Sequence, residues 1–295
     1  MKFNIGILCS GELGFDILQS LSKKIEIQFI FTDNKSDSIK SYANKNMIPL
    51  FIGNPRNYDS SVFLKKFKTD IVFSINYIFI VKKEILKHPK YYAINIHGSL
   101  LPKYRGRTPH VWAIINGERE TGVTAHIMEE GCDTGDIVMQ KIIEICDEDT
   151  GANVLNKYKR IYPLMIMELI EIIKNNDIKR IAQDNNKATY FGKRVPEDGL
   201  INWDWQKERI YNWVRAQALP YPGAFSYLNK QKVIIDRICY SDYGFDNNMP
   251  NGLILKTEPV VLVKTPNGVV ELSKVRGSTV FIKNEIFNIH ENRKF

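Results

Sequence analysis

The sequence predicts an α/β fold with a mostly parallel sheet, followed by a small antiparallel β domain. As far as the charged turn Lys174–Arg180, short apolar runs alternate with segments of helical spacing. After about Gly199 the short apolar runs are instead separated by Asn, Gly and Pro turns. We therefore expect a Rossmann-like N-terminal domain over residues 1–198 and a small β-rich C-terminal domain over residues 199–295.

Each predicted element follows from its own pattern. Short apolar runs predict buried strands at Asn4–Cys9, Ile27–Phe31, Asp70–Ile75 and Ala93–His97, and the second of these is rich in β-branched and aromatic residues. Alternating residues predict a further strand at Val123–Met128. Apolar residues at helical spacing predict a helix over Gly11–Leu21, and a densely apolar stretch predicts a long helix over Val154–Ile173. The polar stretch Ser36–Lys45 is also expected to be helical. Pro163 lies inside the last helix and predicts a kink or break there. Five later runs predict the strands of the C-terminal domain: Ala224–Leu228, Gln231–Ile238, Leu253–Leu255, Val260–Val263 and Val280–Ile282.

The composition excludes several classes of protein. Of the 295 residues, 44% are hydrophobic, which is enough for a packed core and excludes a disordered chain. The net charge of +8 favours acidic partners such as nucleic acid, an anionic membrane or a phosphorylated substrate, or else it is spread for solubility. No run approaches the roughly 20 apolar residues of a membrane span, and the start is too short for a signal peptide.

The four cysteines indicate a reducing compartment. They form no C-x-x-C pair, so neither a zinc knuckle nor a redox motif is predicted. We therefore expect a cytoplasmic protein without a metal and without membrane association.

The first loop, at Ser10 and Gly11, connects a predicted strand to a predicted helix. G-x-G-x-x-G and a P-loop lysine are both absent, which argues against NAD and ATP. Two alternatives stay open: the helix N-terminus faces a substrate phosphate, or the loop is simply a tight turn.

The segment from Asn95 to Ile137 carries the best catalytic candidates. Asn95 and His97 are two residues apart at the end of a predicted strand, so both side chains point to one face. The carboxyl ends of strands in open α/β sheets are where ligands bind. Asp133 lies in the Gly-rich loop that follows the Val123–Met128 strand. If the two strands are neighbours, Asp133 meets His97.

This trio suits acyl transfer to an amine. The amide of Asn95 would donate hydrogen bonds to a developing oxyanion without adding charge. His97 would take the proton of the attacking amine, and Asp133 would raise its basicity or order a water. The alternative is a strand end and a loop residue with no catalytic role. His88, His126 and His290 have no such setting and are expected to be structural or at the surface. His110 is expected near the substrate pocket without a catalytic role.

The ordered motifs resemble a known family. Asn95-x-His97-Gly-Ser-Leu-Leu-Pro, Arg105-Gly106, Gly122-Val-Thr and Asp133-Thr-Gly-Asp136 are similar to those of the 10-formyltetrahydrofolate-dependent formyltransferases. The resemblance extends over most of the chain. It implies that Asn95, His97 and Asp133 are catalytic and that 10-formyltetrahydrofolate is the formyl donor. It further implies a folate site formed mainly by main-chain atoms of Ser74–Ile80 and Glu129–Cys132, namely Tyr77, Ile78, Phe79, Ile80, Glu129, Glu130, Gly131 and Cys132.

Two branches of that family differ in the amine that they formylate. Gly98 follows the histidine, where the methionyl-tRNA branch usually has alanine, and the runs Lys103–Trp112 and Leu219–Tyr227 resemble the sugar branch. The stretch Thr32–Pro49 is short and has only three lysines, whereas a tRNA binder should carry a basic stripe. The sequence therefore favours a nucleotide-linked amino sugar, with methionyl-tRNA as the alternative and nucleic acid otherwise not expected.

Seven further residues are expected near the nucleotide sugar or its phosphates. Arg107 and Arg105 would hold a diphosphate, the alternative for Arg105 being a carboxylate partner that orders its loop. Arg194, Arg215 and Tyr221 would contact the nucleotide, with Tyr221 stacking on a pyrimidine base; Ser10 and Gly11 complete the set. Because no decarboxylase domain follows in the sequence, dTDP is favoured over UDP, and dTDP-4-amino-4,6-dideoxyglucose is the first choice. The resemblance also implies a homodimer formed through the C-terminal half and a role in O-antigen lipopolysaccharide biosynthesis.

Overall fold

A computed structural model describes residues 2–288, which divide into two compact units. The first unit comprises the residues up to Pro109, Thr121–Ile143 and Leu155–Phe191. The second comprises His110–Glu120, Glu144–Val154 and the described residues from Gly192 onward. Seven helices of the described chain are α1 (Gly11–Ser22), α2 (Asp37–Lys45), α3 (Tyr58–Leu64), α4 (Lys83–Leu86), α5 (Pro109–Ile115), α6 (Gly151–Lys174) and α7 (Lys207–Ala216).

The first unit is built on a seven-stranded sheet with the strand order β3-β2-β1-β4-β5-β7-β8. The pairs from β3 to β5 are parallel, and β7 is antiparallel to β5. The α/β fold with a mostly parallel sheet is thereby confirmed. Strands β6 and β9 form a separate parallel pair. The strand bounds are β1 (Ile5–Cys9), β2 (Ile27–Thr32), β3 (Leu50–Ile52), β4 (Ile71–Ile75), β5 (Tyr92–His97), β6 (Arg105–Gly106), β7 (Glu120–Ile127), β8 (Ile137–Glu144) and β9 (Tyr190–Phe191).

The strand order creates a switch point between β1 and β4. From β1 the chain builds outward through β2 and β3, and then it returns to place β4 on the other side of β1. In open α/β sheets, ligands bind in the crevice outside the strand ends at such a point. Ser10 follows β1 and Asn76 follows β4, and the amide Nδ2 of Asn76 donates to the carbonyl of Ser10 at 2.8 Å. The residues that continue from β4 therefore lie at the edge where a ligand is expected.

Apolar residues bury the middle strands and one long helix. All five residues of β1 and of β4 are buried, as a strand covered on both faces requires. Helix α6 continues through Pro163 without the predicted break. An internal proline costs about 3 kcal/mol, and burial of Tyr162, Met165 and Ile166 around it offsets that cost.

The second unit contains a five-stranded sheet in the order β10-β11-β14-β13-β12, with every pair antiparallel. This confirms the antiparallel C-terminal sheet. The predicted strand at Val280–Ile282 is wrong, because Val280 and Ile282 are exposed and belong to no strand. The sequence analysis did not predict β14, which pairs with both β11 and β13. The bounds are β10 (Ala224–Leu228), β11 (Gln231–Ser241), β12 (Ile254–Lys256), β13 (Leu262–Thr265) and β14 (Gly268–Arg276).

Two features are absent from the described residues. Over residues 2–288 there is no helix long and apolar enough to cross a membrane. In the same part of the chain, no group of three or more His, Cys, Asp or Glu side chains is arranged to hold a metal ion.

Candidate active site

The register between β5 and β7 sets the geometry of the site. In this antiparallel pair Asn95 lies opposite His126, and His97 lies opposite Thr124. Directly opposed residues project to the same face of a sheet, so Asn95, His97 and His126 share one face. Strands β5 and β7 are neighbours, as predicted, and this places the loop that follows β7 beside the end of β5.

Asp133 is presented by a tightly constrained turn in that loop. Its φ of 55° lies in the left-handed region, which residues other than Gly, Asn and Asp rarely adopt. The side-chain amide of Gln183 donates to the carbonyls of Asp133 and Gly135 at 2.8 and 2.7 Å. A Cβ on Gly135 would lie 1.9 Å from the carbonyl oxygen of Ile127, so only glycine fits there. The loop conformation is thus fixed by its own contacts.

The structure brings the predicted trio together. The Asn95 Nδ2 donates to Asp133 Oδ1 at 3.3 Å, and His97 Nδ1 lies 3.6 Å from Asp133 Oδ2. The backbone N–H of Gly106 also donates to Asp133 Oδ2, at 2.9 Å. The side chains of His97 and Asp133 are only 8% and 13% exposed, which keeps bulk water from screening their interaction.

The tautomer of His97 follows from its second contact. The His97 Nε2 lies 2.8 Å from the carbonyl oxygen of Tyr104. A carbonyl can only accept, so Nε2 carries a hydrogen, and in the neutral ring Nδ1 carries the lone pair. A proton taken up at Nδ1 would face the carboxylate of Asp133. The ring is therefore oriented to accept a proton on the side where a negative charge stabilises it.

His126 is a fourth member of the cluster, and the expectation that it lacks a functional setting is wrong. Its side chain is 3% exposed, and Nδ1 donates to the carbonyl of Ile127 at 2.9 Å. Its Nε2 lies 3.1 Å from Asn95 Nδ2 and 3.5 Å from Asp133 Oδ1. The neutral ring thus accepts one amide hydrogen of Asn95 while Asp133 accepts the other. His88 contacts Thr69 and the core aromatic Phe29, as expected of a structural residue, and His290 lies outside the described residues.

The pKa of Asp133 is held well below its usual range. Burial alone would raise it, but the adjacent rings of His97 and His126 and the hydrogen bond from the Gly106 N–H together outweigh the burial. Asp133 is consequently a carboxylate at neutral pH. A permanent negative charge beside Nδ1 of His97 is what a proton-accepting histidine needs.

Arg105 supports the loop rather than facing solvent. It is 1% exposed, and its guanidinium donates to the side-chain oxygens of Gln183, Asn185 and Tyr190 at 2.6–3.1 Å. Gln183 in turn holds the Asp133 loop through its amide. These contacts favour the alternative in which Arg105 orders its surroundings, although its partners are amide and phenol oxygens rather than a carboxylate. Gln183 gave no signal in the sequence because it lies 50 residues beyond Asp133.

Two glycines permit close approaches at the site. A Cβ on Gly98 would lie 2.6 Å from the ring of Tyr158, whose hydroxyl donates to the Gly98 carbonyl at 2.7 Å. A Cβ on Gly106 would lie 2.3 Å from the carbonyl oxygen of Phe191. The glycine that follows His97 therefore has a physical reason, since alanine would displace a buried tyrosine.

One predicted folate segment follows the end of β4, and the other directly precedes Asp133. Residues 77–80 extend from β4 as irregular chain, with Ile78 and Ile80 exposed and Tyr77 and Phe79 half-buried. Within residues 2–288, the backbone N–H groups of Ile78, Phe79 and Ile80 donate to no protein acceptor. The hydroxyl of Tyr77 is buried with no partner in the same range. The second segment, Glu129–Cys132, is exposed.

The phosphate candidates of the first unit differ in availability. Arg107 is exposed, and Nη1 donates to the Ile78 carbonyl at 3.2 Å. Gly11 has a φ of 63°, and its N–H is already bonded to Ser36 Oγ at 2.8 Å. Ser10 is buried at the start of α1. These contacts favour the tight-turn alternative for Ser10 and Gly11, while Arg107 keeps most of its donors available.

The remaining nucleotide candidates belong to the second unit. Arg194 lies over the rings of Trp112 and Trp213 and donates to the carbonyl of Asp198. Arg215 donates to the carbonyls of Cys146 and Asp149 at 3.0 and 2.7 Å. The hydroxyl of Tyr221 lies 2.9 Å from His110 Nε2, and burial raises the pKa of Tyr221 to about 12. Each has internal partners, and their contact with a nucleotide stays a prediction.

Family models match both parts of the chain. Residues 11–170 match "Formyl transferase" and residues 193–284 match "Formyl transferase, C-terminal domain". A curated relative, the bifunctional polymyxin resistance protein ArnA of Wigglesworthia glossinidia brevipalpis, is 34% identical over 306 residues. That alignment covers 95% of this chain, which spans only 45% of the length of the relative.

Solved structures share the fold. WlaRD, a sugar 3N-formyl transferase solved in the presence of dTDP and 5-N-formyl-THF, is 22% identical with a TM-score of 0.71 over 95% of this chain and 100% of its own. An N-formyltransferase from Helicobacter canadensis, in complex with folinic acid and dTDP-3-aminofucose, is 23% identical with a TM-score of 0.69 over 92% of this chain and 99% of its own.

Proposed function

The chain belongs to the formyl transferase family, and we propose that it transfers a formyl group from 10-formyltetrahydrofolate to the amino group of a nucleotide-linked amino sugar. The observation that carries this proposal is the buried cluster of Asn95, His97, His126 and Asp133, hereafter the Asp133 centre. It combines an uncharged amide donor, a proton acceptor and a fixed carboxylate, which are the groups that acyl transfer to an amine requires.

The residues beside the Asp133 centre fit a folate donor. The unpaired N–H groups of residues 78–80 and the partnerless hydroxyl of Tyr77 are polar groups that a heterocyclic ring with several donors and acceptors would satisfy. Together with Glu129–Cys132, residues 77–80 would hold the folate, which supplies the activated formyl group when bound. The structures of two relatives with formylated folates support this assignment.

His97 would accept the proton of the attacking amine at Nδ1. That atom is the only ring nitrogen of His97 free of a carbonyl partner, and it faces Asp133. The carboxylate stabilises the resulting imidazolium by direct attraction in a site with little water. Asp133 thus acts on charge and orientation, while His97 moves the proton.

Asn95 would stabilise the oxyanion only after exchanging a partner. Its amide has two N–H donors, and Asp133 and His126 accept them in the ligand-free protein. Once His97 Nδ1 carries the proton, the Asp133 carboxylate would interact with the imidazolium and would attract the Asn95 amide less strongly. One N–H of Asn95 would then be free for the oxyanion. The same charge movement would then link proton acceptance to oxyanion stabilisation.

The proposal that the formyl acceptor is a nucleotide-linked sugar rests on the positive charge of Arg107. Arg107 is exposed next to the folate segment, and a forked guanidinium suits the oxygens of a diphosphate. Arg194, Arg215 and Tyr221 are proposed to contact the nucleotide, whereas Ser10, Gly11 and Arg105 are proposed to order the loops around the site. The preferred substrate is dTDP-4-amino-4,6-dideoxyglucose, and the relative bound to dTDP-3-aminofucose supports the choice of dTDP.

The wider setting is proposed on the same basis. We place the folate and amino-sugar site in residues 1–198, in a cytoplasmic homodimer that supplies formylated sugar for surface polysaccharide such as O-antigen. Methionyl-tRNA is the second candidate acceptor, favoured by the net charge of +8. Within Thr32–Pro49, however, lysines alternate with acidic residues, and Lys40 is paired with Asp37 at 2.6 Å.

An acceptor panel tests this function. Purified protein would be incubated with 10-formyltetrahydrofolate and, separately, dTDP-amino sugars, UDP-amino sugars and methionyl-tRNA, with mass spectrometry of each product. We expect a gain of one formyl group on a dTDP-amino sugar. Formylation of methionyl-tRNA alone would establish the second candidate, and no product from any acceptor would refute both.

A further inference from the structure

We propose that an open groove beside the folate segment binds the γ-linked glutamate tail of polyglutamylated folates. The groove has a volume of about 360 Å³ and is lined by Arg56, residues 80–84 and Glu130; we call it the tail groove. This inference rests on the proposed function, because it assigns a binding site to one part of the proposed donor.

The tail groove continues from the residues assigned to the folate. Ile80 and Glu130 line it, and each belongs to one of the two proposed folate segments. Arg56 is bonded directly to the first of them, since Nε donates to the Ile80 carbonyl at 3.1 Å. A ligand held by both segments would therefore enter the groove with whatever part of it extends beyond them.

The groove has three cations, Arg56, Lys82 and Lys83, against two carboxylates, Glu84 and Glu130. Arg56 uses only Nε, and within residues 2–288 its Nη1 and Nη2 have no acceptor. Lys82 Nζ donates to the carbonyl of Arg56 at 2.5 Å, a neutral partner that leaves its charge unbalanced. Lys83 pairs with Glu130 at 3.3 Å, but both side chains are more than half exposed and the pair is exchangeable.

This charge pattern suits carboxylates spaced along a flexible chain. Each added glutamyl residue brings one carboxylate, and the paired Nη1 and Nη2 donors of Arg56 match a carboxylate in two-point geometry. Lys82 would meet a second carboxylate and Lys83 a third, in exchange for Glu130. The acidic side chains Glu84 and Glu130 reduce the attraction, so the groove is expected to tune affinity and not to dominate it.

The test compares two folates that differ only in tail length. Affinities of tetrahydrofolate monoglutamate and triglutamate for the full chain would be measured by calorimetry at low and high salt. We expect the triglutamate to bind roughly tenfold more tightly at low salt, because several exposed charge pairs add to its binding. This ratio should shrink as salt is raised.

Three variants sharpen the result. The double variant Arg56→Gln/Lys82→Gln should bring the ratio close to one, and Glu130→Gln should raise it by freeing Lys83. Lys23→Gln/Lys24→Gln removes two exposed positive charges outside the groove and serves as the matched control, with an unchanged ratio.

The failures of the two proposals are distinguishable. Equal affinity of the wild-type protein for both folates, or a ratio unaffected by Arg56→Gln/Lys82→Gln, would overturn the tail groove while leaving the proposed function intact. A changed affinity for the nucleotide sugar in that double variant, with the folate ratio unmoved, would assign the groove to a phosphate instead. No binding of the monoglutamate to the wild-type protein would overturn the proposed function itself.

Discussion

The Asp133 centre and the tail groove hold their charged and titratable side chains in opposite settings. In the centre, the side chains of His97, His126 and Asp133 are at most 13% exposed and are joined by short contacts to each other and to the main chain. In the groove, Lys83 and Glu130 are 66% and 60% exposed, and Arg56 has unused donors. The first arrangement is complete without a ligand, whereas the second has free donors to offer one.

This difference in exposure assigns the Asp133 centre to the chemical step and the tail groove to donor binding. Preorganised groups in a site with little water contribute most where charge develops, because no reorganisation is needed at the moment of reaction. Exposed charges contribute about 0–1 kcal/mol each and are screened by salt. Changes in the Asp133 centre should therefore lower kcat, whereas changes in the tail groove should alter donor affinity.

The largest effect is expected for Asp133→Asn. The substitution removes the charge that faces His97 Nδ1 and places a second amide against Asn95. We expect kcat to fall roughly 10³-fold with KM values changed only a few-fold. Steady-state kinetics would check this, and Asp177→Asn, at an exposed carboxylate, is the matched control. An equal loss in both variants would contradict the assignment.

His97→Asn should lower kcat by roughly 10²–10³-fold, because the proton acceptor is lost while an amide can still donate to the Tyr104 carbonyl. Donor binding, measured by calorimetry, should stay within about threefold of wild type. His88→Asn is the control histidine, since its ring contacts Thr69 and lies outside the Asp133 centre. Retention of full turnover by His97→Asn would eliminate His97 as the acceptor.

His126→Asn should lower kcat by about tenfold. The shorter side chain leaves one hydrogen of the Asn95 amide without its acceptor, so the amide loses its fixed direction. The effect should be confined to kcat, and His126→Gln, whose longer side chain can place an oxygen near Asn95, should recover part of it. If only thermal stability falls, with kcat unchanged in both variants, His126 is purely structural.

The lowered pKa of Asp133 predicts a small pH-dependent stability difference. The unfolded carboxyl has a pKa near 3.9, so the stabilisation is fully present above that value and is lost as pH falls through the lower folded pKa. Wild type should exceed Asp133→Asn in Tm by a few degrees, roughly 2–4 °C, at pH 6–7, and the gap should narrow towards pH 3. Thermal unfolding by circular dichroism would measure it; a gap independent of pH would contradict the assigned charge.

The sequence was informative about the site wherever neighbours in the chain are neighbours in space. Asn95 and His97 could be predicted because they end one strand, and Asp133 because its loop follows another. His126 could not be, since its place opposite Asn95 depends on the antiparallel register of β5 and β7. Gln183 could not be either, because its contact with the Asp133 loop is purely tertiary.

The fold shows the same limit, with one avoidable miss. Strand β14 begins at Gly268, in an Asn267-Gly268 dipeptide typical of tight hairpin turns, so its start could be predicted from the sequence. The run Val280–Ile282 has β-branched residues but no strand partner among residues 2–288, since burial and pairing decide strand formation more than propensity does. The uninterrupted α6 likewise reflects packing that outweighs Pro163.

The most direct test of the role of the Asp133 centre follows a ¹³C-labelled formyl group in a single turnover. The labelled donor and a dTDP-amino sugar would be mixed with excess wild-type protein or with Asp133→Asn, and NMR would locate the label over time. We expect wild type to move the label into a sugar formamide, whereas Asp133→Asn binds the same donor and leaves the label on it. Transfer by Asp133→Asn at the wild-type rate would contradict the claim that the Asp133 centre performs the reaction.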